Sequence, residues 1–300
     1  MNYLVTGGLG FIGSNIAKRL IADGNKVWII DNLHTGSYEN KAEGATVFEG
    51  VSGKVAEMEL PKMDAVFHDG IYSSSPMYKE RPGLLPETLD DFLKILDFCR
   101  KSDCPLVFAS TSSVYNGVEP PQKEDVEIRP LDLYSETRLY MERVSSLYAR
   151  LYGMRIAGMR YFSVYGPGEK AKKNYANLVS QFLWAMQRGE APVVYGDGSQ
   201  TRDLTYVDDV VRANLLAAEK IRGFEALNVG TGKCYTINEM VGMLNKALGK
   251  DIGPRYVANP IKNYVEFTQA DTGKAKEKIG FEAQVSLEEG ISRLVELHSH

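Results

Sequence analysis

The segment Thr6-Gly7-Gly8-Leu9-Gly10-Phe11-Ile12-Gly13 constrains this 300-residue chain more than any other feature. It stands between a short apolar run, Tyr3-Leu4-Val5, and an amphipathic stretch over 12–22. Glycines so spaced let a chain turn sharply from strand into helix and bring its backbone close to an anion, which the helix N-terminus then stabilises. Gly7 and Gly10 are the turn and close-approach positions, and Gly13 is where helix packs on strand. Phe11 and Ile12 open the helix beside them. The pyrophosphate of a dinucleotide is the ligand such a turn serves. A second apolar run, 27–30, ends at Asp31 and Asn32. A carboxylate there accepts the ribose hydroxyls of NAD and disfavours the 2′-phosphate of NADP, so NAD rather than NADP is expected.

Further apolar runs of strand length follow at 65–67, 106–108 and 156–159, with amphipathic stretches over 86–100 and 134–152 between them. This alternation predicts a doubly wound parallel α/β sheet of Rossmann type. Beyond residue 165 the pattern loosens. Residues 166–173 read as a loop, 177–188 as an apolar helix, 193–195 as a strand, and 227–230 and 237–248 as a further strand and helix. The expected organisation is a cofactor-binding domain over 1–165 with segments returning near 201–232. A smaller, interleaved substrate-binding lobe takes 166–200 and 233–300.

Lys and Arg number 35 against 39 Asp and Glu, a formal charge of -4, which argues against nucleic acid or an anionic membrane as partner. Cys99, Cys104 and Cys234 lack CxxC or Cys/His spacing, so neither a disulfide framework nor a metal site is expected. The first residues lack the pattern of a secretory leader, and no run approaches the ~20 apolar residues of a membrane span. A cytoplasmic protein is expected.

Four later blocks give the chain a resemblance. They are Ala109-Ser110-Thr111-Ser112-Ser113-Val114-Tyr115, the pair Tyr134 and Arg138, Arg160-Tyr161-Phe162-Ser163-Val164-Tyr165-Gly166-Pro167, and Gly196-Asp197-Gly198-Ser199-Gln200-Thr201-Arg202-Asp203. With the glycine segment and Asp31-Asn32-Leu33, they resemble the nucleotide-sugar epimerase branch of the extended short-chain dehydrogenase/reductase family over nearly the whole chain. The resemblance implies a tyrosine base one helical turn from a lysine; here Tyr134 is the tyrosine and Arg138 stands in the lysine's place. A tyrosine can take a sugar hydroxyl's proton when a cation favours its phenolate. Arginine keeps that charge and can hydrogen-bond a cofactor ribose, but it does not shuttle protons. Thr111, with Ser112 its rival by one position, is the hydroxyl expected on the substrate oxygen. Dehydratases of this kind carry Asp-Glu after the threonine and decarboxylases a glutamate nearby. Ser112-Ser113 offers no carboxylate, which favours epimerisation.

The resemblance also places Arg202 on the substrate diphosphate and Asn177 and Leu178 on diphosphate and sugar; where a second phosphate-binding arginine is usual, the chain reads Asn259-Pro260-Ile261-Lys262-Asn263, and Lys262 is the point charge in its place. The chain departs from the family where an adenine-contacting aspartate is usual, reading Glu49-Gly50-Val51-Ser52, and where HxAA is usual, reading His68-Asp69-Gly70-Ile71. His68 is read as a structural residue at a strand end. Phe267-Thr268-Gln269-Ala270-Asp271, and His68-Asp69-Gly70 with Ser73-Ser74, resemble heptose-type 6-epimerases, which use a second acid/base lysine where Lys172 falls. The function expected is thus an NAD-dependent nucleotide-sugar epimerase of the UDP-hexose 4-epimerase type, acting through a keto-sugar. A heptose-type 6-epimerase and a non-catalytic NAD-binding regulatory protein are the alternatives. The helices over 86–100 and 134–152 pair across a dimer in resembling proteins, so a homodimer is expected.

Overall fold

In the computed structural model, which describes residues 1–260 and 264–297, strand β1 (Asn2–Thr6) runs through the glycine turn into helix α1 (Phe11–Ala22). Its N-cap is Gly10, so no side chain blocks the approach of an anion to the helix start. There follow β2 (Lys26–Asp31), β3 (Thr46–Glu49), β4 (Ala65–His68), α2 (Ser75–Glu80), α3 (Leu84–Ser102), β5 (Leu106–Thr111), α4 (Leu133–Tyr152) and β6 (Ile156–Tyr161). The remaining chain forms β7 (Val164–Tyr165), α5 (Leu178–Gln187), β8 (Val193–Tyr195), β9 (Thr201–Arg202), β10 (Thr205–Tyr206) and α6 (Val207–Lys220). It ends in β11 (Phe224–Val229), β12 (Tyr235–Thr236), α7 (Ile237–Leu248), β13 (Arg255–Val257), α8 (Gly273–Ile279) and α9 (Leu287–Leu297). None of these helices is long and apolar enough to cross a membrane.

Seven strands form one parallel sheet in the order β11-β6-β5-β4-β1-β2-β3. It is the doubly wound α/β sheet that the alternation predicts. Its strand residues point to opposite faces in turn. Leu4, Val66, Leu106 and Phe108 meet Phe92, Ile95 and Leu96 of α3 and Met141 of α4. Val5, Phe67 and Val107 meet Ile16 and Leu20 of α1 and Val210 and Ala217 of α6. Two strands extend the five apolar runs. Edge strand β3 is short and half exposed, so its pattern is weak. Strand β11 pairs along β6 from Phe224 opposite Ile156 to Val229 opposite Tyr161, returning the late chain to the sheet. A separate apolar cluster joins Val179 and Leu183 of α5, Met240 and Leu244 of α7, and Ile291 and Leu294 of α9.

One buried ion pair links α4 to the sheet. Arg160 Nη2 lies 2.6 Å from Glu142 Oε2, with both side chains 4% exposed. Glu142 Oε1 also accepts from Arg160 Nε at 3.0 Å and from Ser110 Oγ at 2.5 Å. Arg160 Nη1 donates to Tyr115 Oη at 2.6 Å. Removing one member of such a pair leaves a buried charge uncompensated. Glu142→Ala is therefore expected to destabilise the fold by about 3–5 kcal/mol in urea denaturation, and a loss below about 1 kcal/mol would contradict this account.

Candidate active site

The glycine turn presses against the end of β4. Gly7 has φ +67°, and a Cβ there would lie 2.6 Å from the Gly70 nitrogen and 2.7 Å from the Asp69 carbonyl. At Gly13 a Cβ would lie 2.3 Å from the Gly7 carbonyl oxygen. Thr6 Oγ1 accepts from Gly70 N at 3.0 Å and lies 2.7 Å from His68 Nδ1, tying β1 to β4. His68 is wholly buried, and burial with the nearby Arg138 charge pushes its pKa down to about 3. Asp31 is buried at the end of β2, where its two oxygens accept from Leu9 N at 2.9 Å and Leu33 N at 2.8 Å. A cavity of about 330 Å³ opens here, between β1 and β4 where the strand order reverses. Gly7, Gly10, Phe11, Ile12, Gly13, Asp31 and Asn32 all line it.

Further along the same cavity, α4 presents Tyr134 in its first turn and Arg138 one turn later. The Arg138 guanidinium stacks over the Tyr134 ring, 5.0 Å from its centroid. Its Nη2 donates to the Tyr72 carbonyl at 2.7 Å and Nη1 lies 3.6 Å from Met141 Sδ, while Nε is buried without a hydrogen-bond partner. Only 2% of this arginine is exposed. One arm of its fork is thus committed to the protein's own backbone. Thr111 closes β5, and its Oγ1 accepts from Ser113 N at 3.1 Å, which leaves the hydroxyl proton for donation.

Lys172 enters from the short segment Lys170–Tyr175, which kinks at Lys173, with Nζ 5.7 Å from the centroid of the Phe11 ring. Burial lowers its pKa and the Glu169 charge opposes that shift. Glu169 is itself buried, accepting from Asn177 N at 2.8 Å and from Ser180 Oγ. It holds the lysine segment against α5. Asn177 caps that helix by accepting from Val179 N at 3.0 Å. Two asparagines bind this side to the glycine turn. Asn40 Nδ2 donates to Leu9 O at 3.2 Å and Gly168 O at 3.0 Å, and Asn15 Nδ2 to Phe11 O at 2.8 Å and Pro167 O at 2.9 Å.

The structure therefore gathers Thr111, Ser112, Tyr134, Arg138, Lys172 and Asn177 around the glycine turn and Asp31. Leu178 and Arg202 are not among the residues lining this cavity. Arg202 lies on β9, where Nη1 donates to Thr201 O at 2.8 Å and Glu266 O at 3.1 Å and the guanidinium stands over the Tyr264 ring. Lys262 lies outside the described residues. Asp69 and Tyr161 also line the cavity; the sequence places them in the blocks His68-Asp69-Gly70-Ile71 and Arg160-Tyr161-Phe162 but assigns neither a role.

Residues 3–230 match the model of the NAD dependent epimerase/dehydratase family. The chain belongs to that family. It is 34% identical to a putative UDP-glucose 4-epimerase of Methanocaldococcus jannaschii, over 97% of this chain and 96% of the relative. Among solved structures, a UDP-glucose 4-epimerase of Thermotoga maritima with UDP-glucose superposes with a TM-score of 0.93 at 36% identity, covering 100% of this chain and 99% of that one. An ADP-L-glycero-D-manno-heptose-6-epimerase of Helicobacter pylori superposes with a TM-score of 0.87 at 26% identity, over 100% and 96% of the two chains. The protein is thus an enzyme of the NAD-dependent sugar epimerase/dehydratase kind.

The residues present suit NAD, the cofactor of this family. Gly7 and Gly13 allow backbone approaches that a Cβ would block, Gly10 leaves the start of α1 without a side chain, and Asp31 keeps lone pairs beyond those it gives to Leu9 N of the glycine turn and Leu33 N of its own loop. Gly13→Ala, whose methyl must displace the Gly7 carbonyl, is expected to weaken NAD binding by at least about tenfold in a calorimetric titration. Unchanged affinity would show that the turn can shift.

Proposed function

We propose that the protein is an NAD-dependent nucleotide-sugar epimerase of the UDP-hexose 4-epimerase type, working by reversible oxidation to a keto-sugar. The observation that carries this reading is one cavity holding a dinucleotide cradle, the Tyr134–Arg138 stack and Thr111, with serines rather than carboxylates at 112 and 113. When bound, NAD supplies the acceptor and then the donor of two electrons. Tyr134 acts from its phenolate, whose negative charge the Arg138 guanidinium offsets, and its Oη takes the sugar hydroxyl's proton to become the neutral phenol. Thr111 Oγ donates to the same sugar oxygen as it becomes a carbonyl. After the keto-sugar has turned its other face, Tyr134 returns the proton and the inverted alcohol is restored. In this reading Asn177, Leu178, Arg202 and Lys262 hold the diphosphate and sugar, in a lobe we assign to 166–200 and 233–300.

A heptose-type 6-epimerase is the second reading, and the observation favouring it is Lys172 in the same cavity. A lysine with lowered proton affinity could serve as a second acid/base, sparing the sugar a full rotation. The deciding experiment follows the anomeric proton NMR signals of UDP-glucose, UDP-N-acetylglucosamine, UDP-glucuronate and an ADP-heptose with catalytic NAD. Conversion to an epimer at a constant ratio is expected with a UDP-hexose. Tyr134→Phe should cut its rate by at least about 10²-fold while NAD stays bound. Loss of carbon dioxide from UDP-glucuronate, or stoichiometric release of NADH, would replace epimerisation by decarboxylation or net oxidation. Binding of NAD with every sugar unchanged would favour the regulatory alternative.

We also propose a homodimer built on α3 and α4. Along α4, Leu133, Tyr140, Leu147 and Leu151 are 40%, 40%, 42% and 61% exposed and recur at helical spacing on one face. Light scattering should give twice the 33.4 kDa chain mass. A single chain mass would leave this stripe without its partner.

A further inference from the structure

Asp69 sits at the base of the site with an unexplained charge. Its carbonyl is among the atoms that a Gly7 side chain would strike, so it stands directly behind the turn on which a dinucleotide's pyrophosphate would rest. Its side chain lies beside Tyr161, whose hydroxyl is 3.0 Å from Asn214 Oδ1 and 3.4 Å from Asp69 Oδ1. Asn214 Nδ2 donates to Val210 O at 2.7 Å, which turns the amide oxygen toward Tyr161. A phenol has one proton for these two acceptors, and the shorter contact takes it. What Tyr161 then offers Asp69 is an oxygen lone pair. A carboxylate oxygen there meets another acceptor, whereas a carboxyl proton on Oδ1 completes a chain from Asp69 through Tyr161 and Asn214 to the Val210 carbonyl.

We propose that Asp69 is a cofactor-site residue that accepts the dinucleotide with its carboxyl protonated, so that NAD binding takes up a proton and weakens as the solution becomes alkaline. The inference rests on the reading of this cavity as the dinucleotide site. The diphosphate brings two negative charges to the turn, and like charges at close quarters disfavour a second ionised group. Burial already raises the Asp69 carboxyl to about 7, against the opposing Arg138 charge. The charged and titratable groups facing it are Tyr161 from β6, Arg138 from α4 and His68 on its own strand, with uncharged Asn214 from α6. His68 is already neutral in this range, Tyr161 is held well above the ordinary range by burial, and a guanidinium gives up no proton. Asp69 is the member of this group that changes charge near neutrality. The sign follows. Below about pH 7 the neutral form is ready, and above it each pH unit weakens binding by up to about tenfold until the bound form also ionises.

The test titrates NAD and ADP-ribose into the wild-type protein and Asp69→Asn by calorimetry between about pH 6 and pH 8.5. At about pH 7.5 the wild type is measured in two buffers of different ionisation enthalpy to count protons. Wild-type affinity for both ligands should fall across this range with a fraction of a proton taken up. Asp69→Asn, a neutral isostere, should bind tightly with no such slope. A slope retained in Asp69→Asn, no proton uptake by the wild type, or affinity rising with pH overturns the proposal. So does a slope seen with NAD but absent with ADP-ribose, which lacks the nicotinamide. The proton count needs no variant, so a misfolded Asp69→Asn would not shelter the idea. Failure of the epimerase reading would show instead as unchanged sugars alongside normal NAD titrations.

Discussion

The site depends on two backbones passing closer than side chains permit. The turn at Gly7 lies against Asp69 and Gly70, and Gly13 lets α1 come down on the Gly7 carbonyl. This double approach draws β1 and β4 together where the sheet reverses its strand order, and the crevice exists because of it. Thr6 fixes the arrangement with one hydroxyl, accepting from Gly70 N while meeting the buried His68 ring. The departing tetrad His68-Asp69-Gly70-Ile71 is therefore partly structural. Glycine at 70 is required as well, since a Cβ there would lie 2.5 Å from Ser52 Oγ and 2.9 Å from Gly7 N.

Around that crevice, charge is arranged in two regimes. Arg160 and Glu142 neutralise each other behind the sheet with every contact supplied by neighbouring polar groups, and they serve packing. Arg138 is equally buried, but its hydrogen bonds do not go to a carboxylate. It is held by a carbonyl, a sulfur and the face of Tyr134. A guanidinium tolerates this setting better than an ammonium, being planar, more weakly hydrated and able to stack on an aromatic ring. The departure from the family's lysine is thus accommodated by local chemistry. The uncompensated charge faces the cavity in which the chemistry is proposed.

Much of this was legible in the sequence because the decisive features are local. The glycine spacing, Asp31 at the end of an apolar run and the one-turn interval from Tyr134 to Arg138 each depend on a few neighbouring residues. Periodicity likewise located α1, α3 and α4 to within a few residues. Strand β3 escaped because an edge strand with Thr46 and Glu49 exposed shows little apolar run. That 227–230 forms a strand in a returning segment was legible, but its place beside β6 was not, because pairing partners are not written in a strand's own pattern. Asp69 illustrates a different limit. Its significance comes from Tyr161 and Asn214, far along the chain, and no spacing rule brings the three together. Arg202 is similar, since whether it reaches a ligand depends on how β9 sits against the cavity.

The asparagine bridges from α1 and Asn40 to the loop at Pro167 and Gly168 have a thermodynamic corollary. They make the floor under the cofactor and the approach to Lys172 one mechanical body, stitched across more than a hundred residues of chain. A ligand that quiets the glycine turn necessarily quiets the loop beyond it, and a ligand that settles the loop steadies the turn. Coupling of this kind is reciprocal: whatever factor a bound dinucleotide contributes to the grip on a second ligand at the loop, that ligand returns to the grip on the dinucleotide. In the proposed epimerisation the cofactor takes two electrons from the sugar and must return them within one turnover, and this coupling holds it hardest while the oxidised sugar is bound.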